Sequence, residues 1–385
     1  MKMLRLPRSE VRLAVALPWN VYDDTGVLLL RRGYLLESAH QRDLLLRRGV
    51  YVDAAELELA RPSPTVAPAE MSRQPNLFDR WDQTTDELIG LMHGVSKDAG
   101  FAQLLVQFAH QVDALVQHHP DIAIYRAVRQ DHAQPFYYGY AHSVHSATMA
   151  ALLGRHLGWV PERTMCLVQA ALTMNIAILD LQGQMAGQEG PVRDWQRAAI
   201  RAHPTEGVRL LGEAGVVDAQ WLSAVGEHHE LADGGGYPLG SRTVDELAVA
   251  LRVCDVLMAR ISPRLLRAAL SPQEAARQLY REDHGGQLST AMIQVLGIHP
   301  PGDFVRLASG ELALVVQRTA NLRTPIVAVL TDRAGRPTGH TVRRDSAEPG
   351  FAIAGGAASP DWLARLPPER LFGAAAIAIP GAAPA

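Results

Sequence analysis

Residues 226–240, with the sequence GEHHELADGGGYPLG, concentrate side chains that could do chemistry, and we call them the glycine-rich loop. The adjacent His228 and His229 could reach one cation or one phosphate, because neutral imidazoles are common metal ligands. The glycines allow positive φ and a close approach of backbone to a ligand. An ordinary tight turn is the competing interpretation, and the neighbouring histidine pair argues against it. The loop residues that could contact a ligand are Glu230, Asp233, Gly234, Gly236, Tyr237 and Pro238.

Three further residues could complete a site with this loop. His142 lies near the start of an apolar helical run, and His203 precedes Pro204, a residue that fits the first turn of a new helix. Asp255 lies in the apolar run LAVALRVCDVLMA, where a carboxylate needs a partner. That partner could be a metal, a capping amide, or Arg252, which lies three residues earlier on the same helix face.

The sequence HHELADGGGYP resembles the HHExxDGxGYP signature of the HD-GYP subgroup of HD-domain phosphohydrolases at every defined position. The resemblance extends to His142-Ser143, to His203-Pro204 and to Asp255, and it covers roughly residues 135–300. It implies a helical HD-domain fold and a chain related to cyclic di-GMP phosphodiesterases. The metal ligands that it implies are His142, His203, His228, His229 and Asp255.

The histidine–aspartate pair that names the family is replaced in this chain. The matching segment, AALTMNIAILDLQ, has Met174 for the histidine, Asn175 for the aspartate and Ile178 for a lysine. In the family mechanism the aspartate bridges two cations, which lower the pKa of a bridging water for attack on phosphorus. Asn175 is neutral, and the thioether of Met174 is a poor ligand for hard cations. We therefore expect hydrolysis to be lost or strongly reduced.

Two neighbouring positions do not repair this loss. Asp180 is five residues beyond Asn175, so on a helix it points about a third of a turn away. Some family members carry a glutamate four residues before the first metal histidine, and Tyr138 occupies that position here. Ile178 also removes a positive charge that would neutralise phosphate.

The sequence leaves the contents of the remaining site open. His203, His228 and His229 could hold one divalent cation, iron or manganese, or they could be hydrogen-bonding residues of a metal-free pocket. The leading interpretation is a catalytically impaired regulatory or binding module in bacterial cyclic-dinucleotide signalling. Its partner would be cyclic di-GMP or a cyclic di-GMP-related signalling protein. The alternative is an active metal-dependent phosphohydrolase that uses the remaining histidines, and a third idea is a purely structural domain.

Hydrophobic periodicity predicts the elements that position these residues. Apolar residues at three- and four-residue spacing predict a bundle of about seven or more helices over residues 81–298. Short apolar runs predict a β-rich domain at 1–60, and the proline-rich RPSPTVAPAE places a linker at 61–80. Alternating residues predict a β-rich segment at 299–355, and an Ala/Pro/Gly-rich tail at 356–385 is expected to be disordered. The fold class is therefore mostly α, an HD-domain-type helical bundle flanked by small β-rich N- and C-terminal units.

Composition narrows the class of protein. Among 385 residues, 37 basic and 40 acidic side chains give a net charge of −3, which offers no general field for binding nucleic acid. Cys166 and Cys254 lie in apolar runs and are expected to be buried free thiols. No apolar run approaches the length of a membrane span, so we expect a cytoplasmic protein. The amphipathic run at 81–117 is where we expect a homodimer to form.

Overall fold

The computed structural model describes residues 3–5, 17, 19–22, 28–30, 34, 51–53, 76–95, 100–130, 137–338, 341–358 and 368–376. The chain divides into two compact units, Met1–Pro75 and Asn76–Ala385. The proline-rich part of the predicted linker lies outside the described residues.

The first unit contains a four-stranded antiparallel sheet, as the short apolar runs predict. Its strands are β1 (Met3–Arg5), β2 (Val21–Tyr22), β3 (Leu28–Leu30) and β4 (Tyr51–Asp53), in the order β1-β4-β2-β3. Val21 and Val52 are fully buried on the two neighbouring strands β2 and β4.

The second unit contains the predicted helical bundle. Its helices are α1 (Leu77–Met92), α2 (Phe101–His118), α3 (Pro120–Val128), α4 (Tyr138–His156), α5 (Pro161–Thr173), α6 (Leu179–Ala186), α7 (Asp194–Glu213), α8 (Ala219–Glu227), α9 (Glu246–Ile261), α10 (Pro272–Glu282) and α11 (Gln287–Leu296).

The predicted linker, residues 61–80, extends too far, because helix α1 already occupies residues 77–80. The Asn76 side chain accepts hydrogen bonds from the backbone N–H groups of Phe78 and Asp79, and the Asp79 carboxylate accepts one from the N–H of Asn76. This capping box satisfies N–H groups that the first helical turn leaves without partners, so the helix begins directly after the proline-rich stretch.

Helix α4 lies at the centre of the bundle, because 15 of its 19 residues are buried. Small side chains let its neighbours approach closely. A Cβ atom at Gly154 would lie within 3.0 Å of three side-chain atoms of Thr164 on α5. The buried hydroxyls of Ser143 and Thr148 donate to backbone carbonyls one turn earlier on α4, which satisfies them inside the core.

The C-terminal sheet follows the alternating pattern of its sequence. Its antiparallel strands are β5 (Phe304–Leu307), β6 (Leu312–Gln317), β7 (Ile326–Val329), β8 (Arg343–Asp345) and β9 (Ile353–Gly356), in the order β8-β7-β6-β5-β9. Phe304 and Leu314 face the helical core, whereas Val305 and Val315 belong to a second apolar cluster on the opposite face. Burial on both faces explains why these strands are so apolar.

The predicted disordered tail is wrong for residues 368–376. They form α12 (Pro368–Phe372) and a short 3₁₀ turn. Phe372 is buried and packs on Tyr125 at 5.1 Å between ring centroids, and its carbonyl accepts a hydrogen bond from Arg343. The Ala/Pro/Gly-rich composition hid this aromatic anchor, whose burial offsets the cost of ordering the segment.

Cys166 and Cys254 are buried free thiols, as predicted. None of the helices within the described ranges combines the length and the apolar surface that crossing a lipid bilayer requires.

Candidate functional site

Three predicted site residues, His203, His228 and His229, come together in one cluster, with one ring nitrogen of each within 4.8 Å of the others. His203 lies on α7, and the other two directly follow α8. The Nε2 atoms of His203 and His228 are 3.2 Å apart. The ring of His229 lies 4.1 Å from that of His228, measured between centroids.

Pro204 lies inside α7, so the prediction that it starts a new helix is wrong. The helix continues through it from Asp194 and gives up one backbone hydrogen bond. Because proline has no N–H, the carbonyl of Ile200, four residues earlier, receives no backbone donor. Nδ1 of His203 occupies that carbonyl at 2.6 Å. The proline therefore makes available the acceptor that orients the histidine beside it.

His228 is oriented in the same way by a different cause. Helix α8 ends at Glu227, so the carbonyl of Val225 is one of the last four that a helix leaves without an intrahelical donor. Nδ1 of His228 lies 2.7 Å from that oxygen. A carbonyl oxygen can only accept, so Nδ1 carries the proton in both His203 and His228. Their Nε2 atoms then present two lone pairs to each other.

A proton shared between the two Nε2 atoms would relieve the repulsion between their lone pairs, but burial disfavours a protonated imidazole. Burial lowers the pKa of His203 to about 3 and that of His229 to about 2, and it lowers the pKa of His228 as well. A cation relieves the repulsion between lone pairs without protonating any ring. Neutral imidazoles whose Nδ1–H groups donate to backbone carbonyls are the usual form of histidine ligands. The donor set therefore fits one divalent cation.

Asp255 is paired with His142, and the predicted alternative of an ion pair with Arg252 is wrong. Nε2 of His142 donates to Asp255 Oδ1 at 2.7 Å. Burial by itself raises the pKa of Asp255, but the hydrogen bond from His142 and the neighbouring imidazoles outweigh it and hold that pKa well below its usual range. The helix spacing put Arg252 within reach, but α4 supplies a closer donor that the local sequence does not show.

The ring of His142 stacks on the ring of Tyr138, which is itself held by Arg264. The two ring planes are 4° apart, and the Tyr138 hydroxyl accepts a hydrogen bond from Nε of Arg264 at 2.9 Å. Nδ1 of His142 is buried and has no hydrogen-bond partner within the described ranges. Sequence reasoning placed Tyr138 at a glutamate position but did not identify Arg264, because 126 residues separate the two.

Met174, Asn175 and Ile178 lie in the turn between α5 and α6, and all three are buried. Nδ2 of Asn175 makes no hydrogen bond to any described residue. Asp180, the nearest carboxylate along the chain, accepts a hydrogen bond from the Tyr140 hydroxyl at 3.0 Å. The turn itself contributes no carboxylate.

This turn packs against both helices that lead to the histidine cluster. Trp221 on α8 donates from Nε1 to the hydroxyl of Thr173, the last residue of α5, at 2.8 Å. A Cβ atom at Gly207 would lie 3.8 Å from the carbonyl oxygen of Met174. Gly207 is four residues after His203, so the two share a face of α7. The turn that contains Met174 therefore packs against the helix that carries His203.

The side chain of Glu230 holds the two ends of the glycine-rich loop together by binding backbone N–H groups. The buried carboxylate accepts hydrogen bonds from the N–H groups of Leu239, Gly240 and Ser241 at 2.6, 3.2 and 2.9 Å. The sequence placed Glu230 among residues that could contact a ligand, and the structure directs its oxygens to the loop instead.

Gly236 and Asp233 shape the same loop. A Cβ atom at Gly236 would lie 2.4 Å from the backbone nitrogen of Leu231, so no other residue fits without a backbone shift. Asp233 Oδ1 accepts a hydrogen bond from the N–H of Gly235 at 2.7 Å, which forms a local turn. Gly234 has φ of +82°, in the region that favours glycine.

Tyr237 connects the loop to the cluster. Its ring stacks on that of His229 at 4.5 Å between centroids and 26° between planes. The peptide bond from Tyr237 to the half-buried Pro238 is cis. The loop thereby covers one side of the histidine site with an aromatic ring.

The helical part of the chain is similar to known proteins. Residues 114–285 match the HD domain family, and this range includes every predicted metal ligand. The chain is 30% identical over 241 residues to a cyclic di-GMP phosphodiesterase of Pseudomonas aeruginosa, covering 61% of this chain and 57% of the relative. It is 25% identical over 162 residues to a 3′3′-cGAMP-specific phosphodiesterase of Vibrio cholerae, covering 41% of this chain and 37% of that relative. The chain thus matches little more than half the length of the first relative and less of the second.

A solved structure shows the same fold. The HDGYP protein Bd1817 from Bdellovibrio bacteriovorus superposes with a TM-score of 0.50 over 77% of this chain and 99% of that one. The sequence identity is 19%, so this likeness concerns the fold alone.

Replacing Pro204 with alanine should stabilise the chain while releasing His203. Alanine restores the backbone hydrogen bond to Ile200, so the free energy of unfolding should rise by about 1–3 kcal/mol. The same N–H competes for the carbonyl that fixes Nδ1 of His203. Urea unfolding measures the first effect, and imidazole ¹⁵N chemical shifts measure the second as a mixture of tautomers.

The matched control is Pro161→Ala, since Pro161 lies in the first turn of α5, where no backbone bond is missing. It should change the unfolding free energy by less than about 1 kcal/mol. If His203 in Pro204→Ala stays entirely in the Nδ1–H tautomer, the proline does not control its orientation.

Replacing Glu230 with glutamine should open the glycine-rich loop. The change weakens charge-assisted bonds to three N–H groups and should cost about 1–3 kcal/mol of unfolding free energy. Hydrogen exchange at Leu239, Gly240 and Ser241 should accelerate. The control Glu213→Gln removes an exposed carboxylate paired with Arg209 and should cost less than about 1 kcal/mol. Unchanged exchange at the three amides would show that the carboxylate does not hold the loop.

Proposed function

Because this chain carries an HD domain of the HD-GYP type, we propose that it acts in cyclic-dinucleotide signalling as a module that binds a cyclic dinucleotide and hydrolyses it poorly or not at all. The relatives' names supply the ligand class, since they describe enzymes that act on cyclic di-GMP or on 3′3′-cGAMP. The retained glycine-rich loop and histidine cluster support binding.

The observation that carries the loss of hydrolysis is the buried turn containing Met174 and Asn175. It packs against the helix that carries His203, yet it offers a thioether and a neutral amide where two-metal chemistry needs a bridging carboxylate. A bridging carboxylate offsets the mutual repulsion of two dications. Asp255 provides a single carboxylate, and it is already bonded to His142. These residues do not fit a pair of bridged cations.

The three-histidine cluster fits one divalent cation, held by His203, His228 and His229. When bound, such a cation polarises a phosphoryl oxygen. The chain's own residues fix the donors, since Ile200 and Val225 hold the Nδ1–H groups through their carbonyls. The same cluster favours a second candidate function, an active phosphohydrolase that relies on one cation. A cyclic di-GMP-related signalling protein as partner and a homodimer through residues 81–117 stay predictions.

The test combines metal content, turnover and a repair variant. We expect purified chain supplied with Mn²⁺ or Fe²⁺ to hold one cation and to show no measurable cyclic di-GMP hydrolysis. The double variant Met174→His/Asn175→Asp restores the missing ligands and should raise turnover by on the order of a hundredfold or more. Elemental analysis and nucleotide chromatography are the measurements.

The matched control is Met174→His/Asn175→Gln, which adds the imidazole without the carboxylate and should stay inactive. Circular dichroism checks that both double variants fold. Turnover by the unmodified chain that disappears on His229→Ala would support the second candidate and contradict the impaired module.

A further inference from the structure

Two arginines lie next to predicted site residues on their helices. Arg201 comes two residues before His203 on α7, and its guanidinium carbon lies 5.5 Å from the centroid of the Tyr237 ring. Arg252 comes three residues before Asp255 on α9. The positive charges of both arginines oppose the rise in the pKa of the Tyr237 hydroxyl that burial and Asp255 produce.

These two arginines differ from others on the same helices in having no anionic partner. On α7, Arg197 pairs with Asp194, and Arg209 pairs with Glu206. On α9, Arg260 pairs with Glu282. For Arg201 and Arg252, the described residues provide neither a hydrogen bond nor an ion pair. Within the described residues, carboxylates therefore pair with the other arginines of these helices but not with Arg201 or Arg252.

The position of Arg252 makes its lack of a partner costly. Its side chain is half-buried, and Asp255, the carboxylate three residues away, is taken by His142. Partly removing a guanidinium from water without an anion is unfavourable. An anion bound between the loop and the cluster would offset this cost.

We propose that Arg201 and Arg252 form a phosphate-binding pair beside Tyr237. This pair supplies the positive charge that a lysine would supply at the position of Ile178. The ligand chemistry is a phosphate or phosphodiester anion, because planar guanidinium groups bind its oxygens through two parallel hydrogen bonds. The inference rests on the proposed function, since it assigns the cyclic dinucleotide's phosphates to these two side chains.

A binding experiment distinguishes the possible sources of the phosphate anion. Isothermal titration calorimetry of the full chain with cyclic di-GMP, 3′3′-cGAMP and pyrophosphate compares the unmodified protein with Arg201→Gln and Arg252→Gln. Each substitution should weaken binding by on the order of tenfold or more, as expected for the loss of a hydrogen bond to a charged group. Arg201→Lys and Arg252→Lys should recover part of the affinity because they keep the charge.

The matched control is Arg197→Gln, one turn before Arg201 on α7, and its affinity should stay within about twofold of the unmodified chain. If Arg197→Gln loses as much affinity as Arg201→Gln, general surface charge explains the effect and the pair is not a site. Arg201 is exposed, so its substitution tests the inference even if Arg252→Gln unfolds.

The remaining outcomes separate the two proposals. Cyclic di-GMP binding that neither arginine substitution weakens overturns the phosphate-binding pair and leaves the proposed function standing. Arginine-dependent binding of pyrophosphate, without binding of either cyclic dinucleotide, supports the pair and overturns the proposed function. Absence of binding to all three probes overturns both.

Discussion

The site depends on two buried imidazoles whose protons are already committed. His203 and His228 each donate from Nδ1 to a backbone carbonyl, so their Nε2 lone pairs face each other at 3.2 Å. Two acceptors in contact repel, and burial prevents protonation from relieving that repulsion. The arrangement persists because the surrounding helices fix both rings. The cluster is thus a preformed set of donors, ready for a positively charged species.

The backbone is what holds these rings, and it does so at irregular positions. The carbonyl of Ile200 is available because Pro204 interrupts the hydrogen bonding of α7, and the carbonyl of Val225 is available because α8 ends. Elsewhere, regular helices bury their polar groups within themselves, as α4 does with Ser143 and Thr148. Interruptions of regular structure therefore orient the two histidine rings, and regular structure serves stability.

Much of the fold and site could be predicted from local patterns. Helical periodicity and strand alternation identified the bundle and its flanking sheets, and the sequence HHELADGGGYP identified the loop and His228 and His229. Long-range pairings could not be predicted: Asp255 bonds to His142, which lies 113 residues away, although Arg252 was the nearer candidate along the chain. Composition likewise failed where one aromatic residue decides the structure, as Phe372 does in the C-terminal tail.

The three backbone bonds to Glu230 also bear on the thermodynamics of recognition. Glycine-rich segments ordinarily lose much conformational entropy when a ligand orders them. Here the buried carboxylate orders residues 239–241 through three backbone hydrogen bonds within the chain itself. That entropy is lost during folding, and association with a small molecule need not lose it again. A small molecule bound at this loop would therefore gain its affinity from contact and desolvation, with a nearly rigid fit and no ordering step.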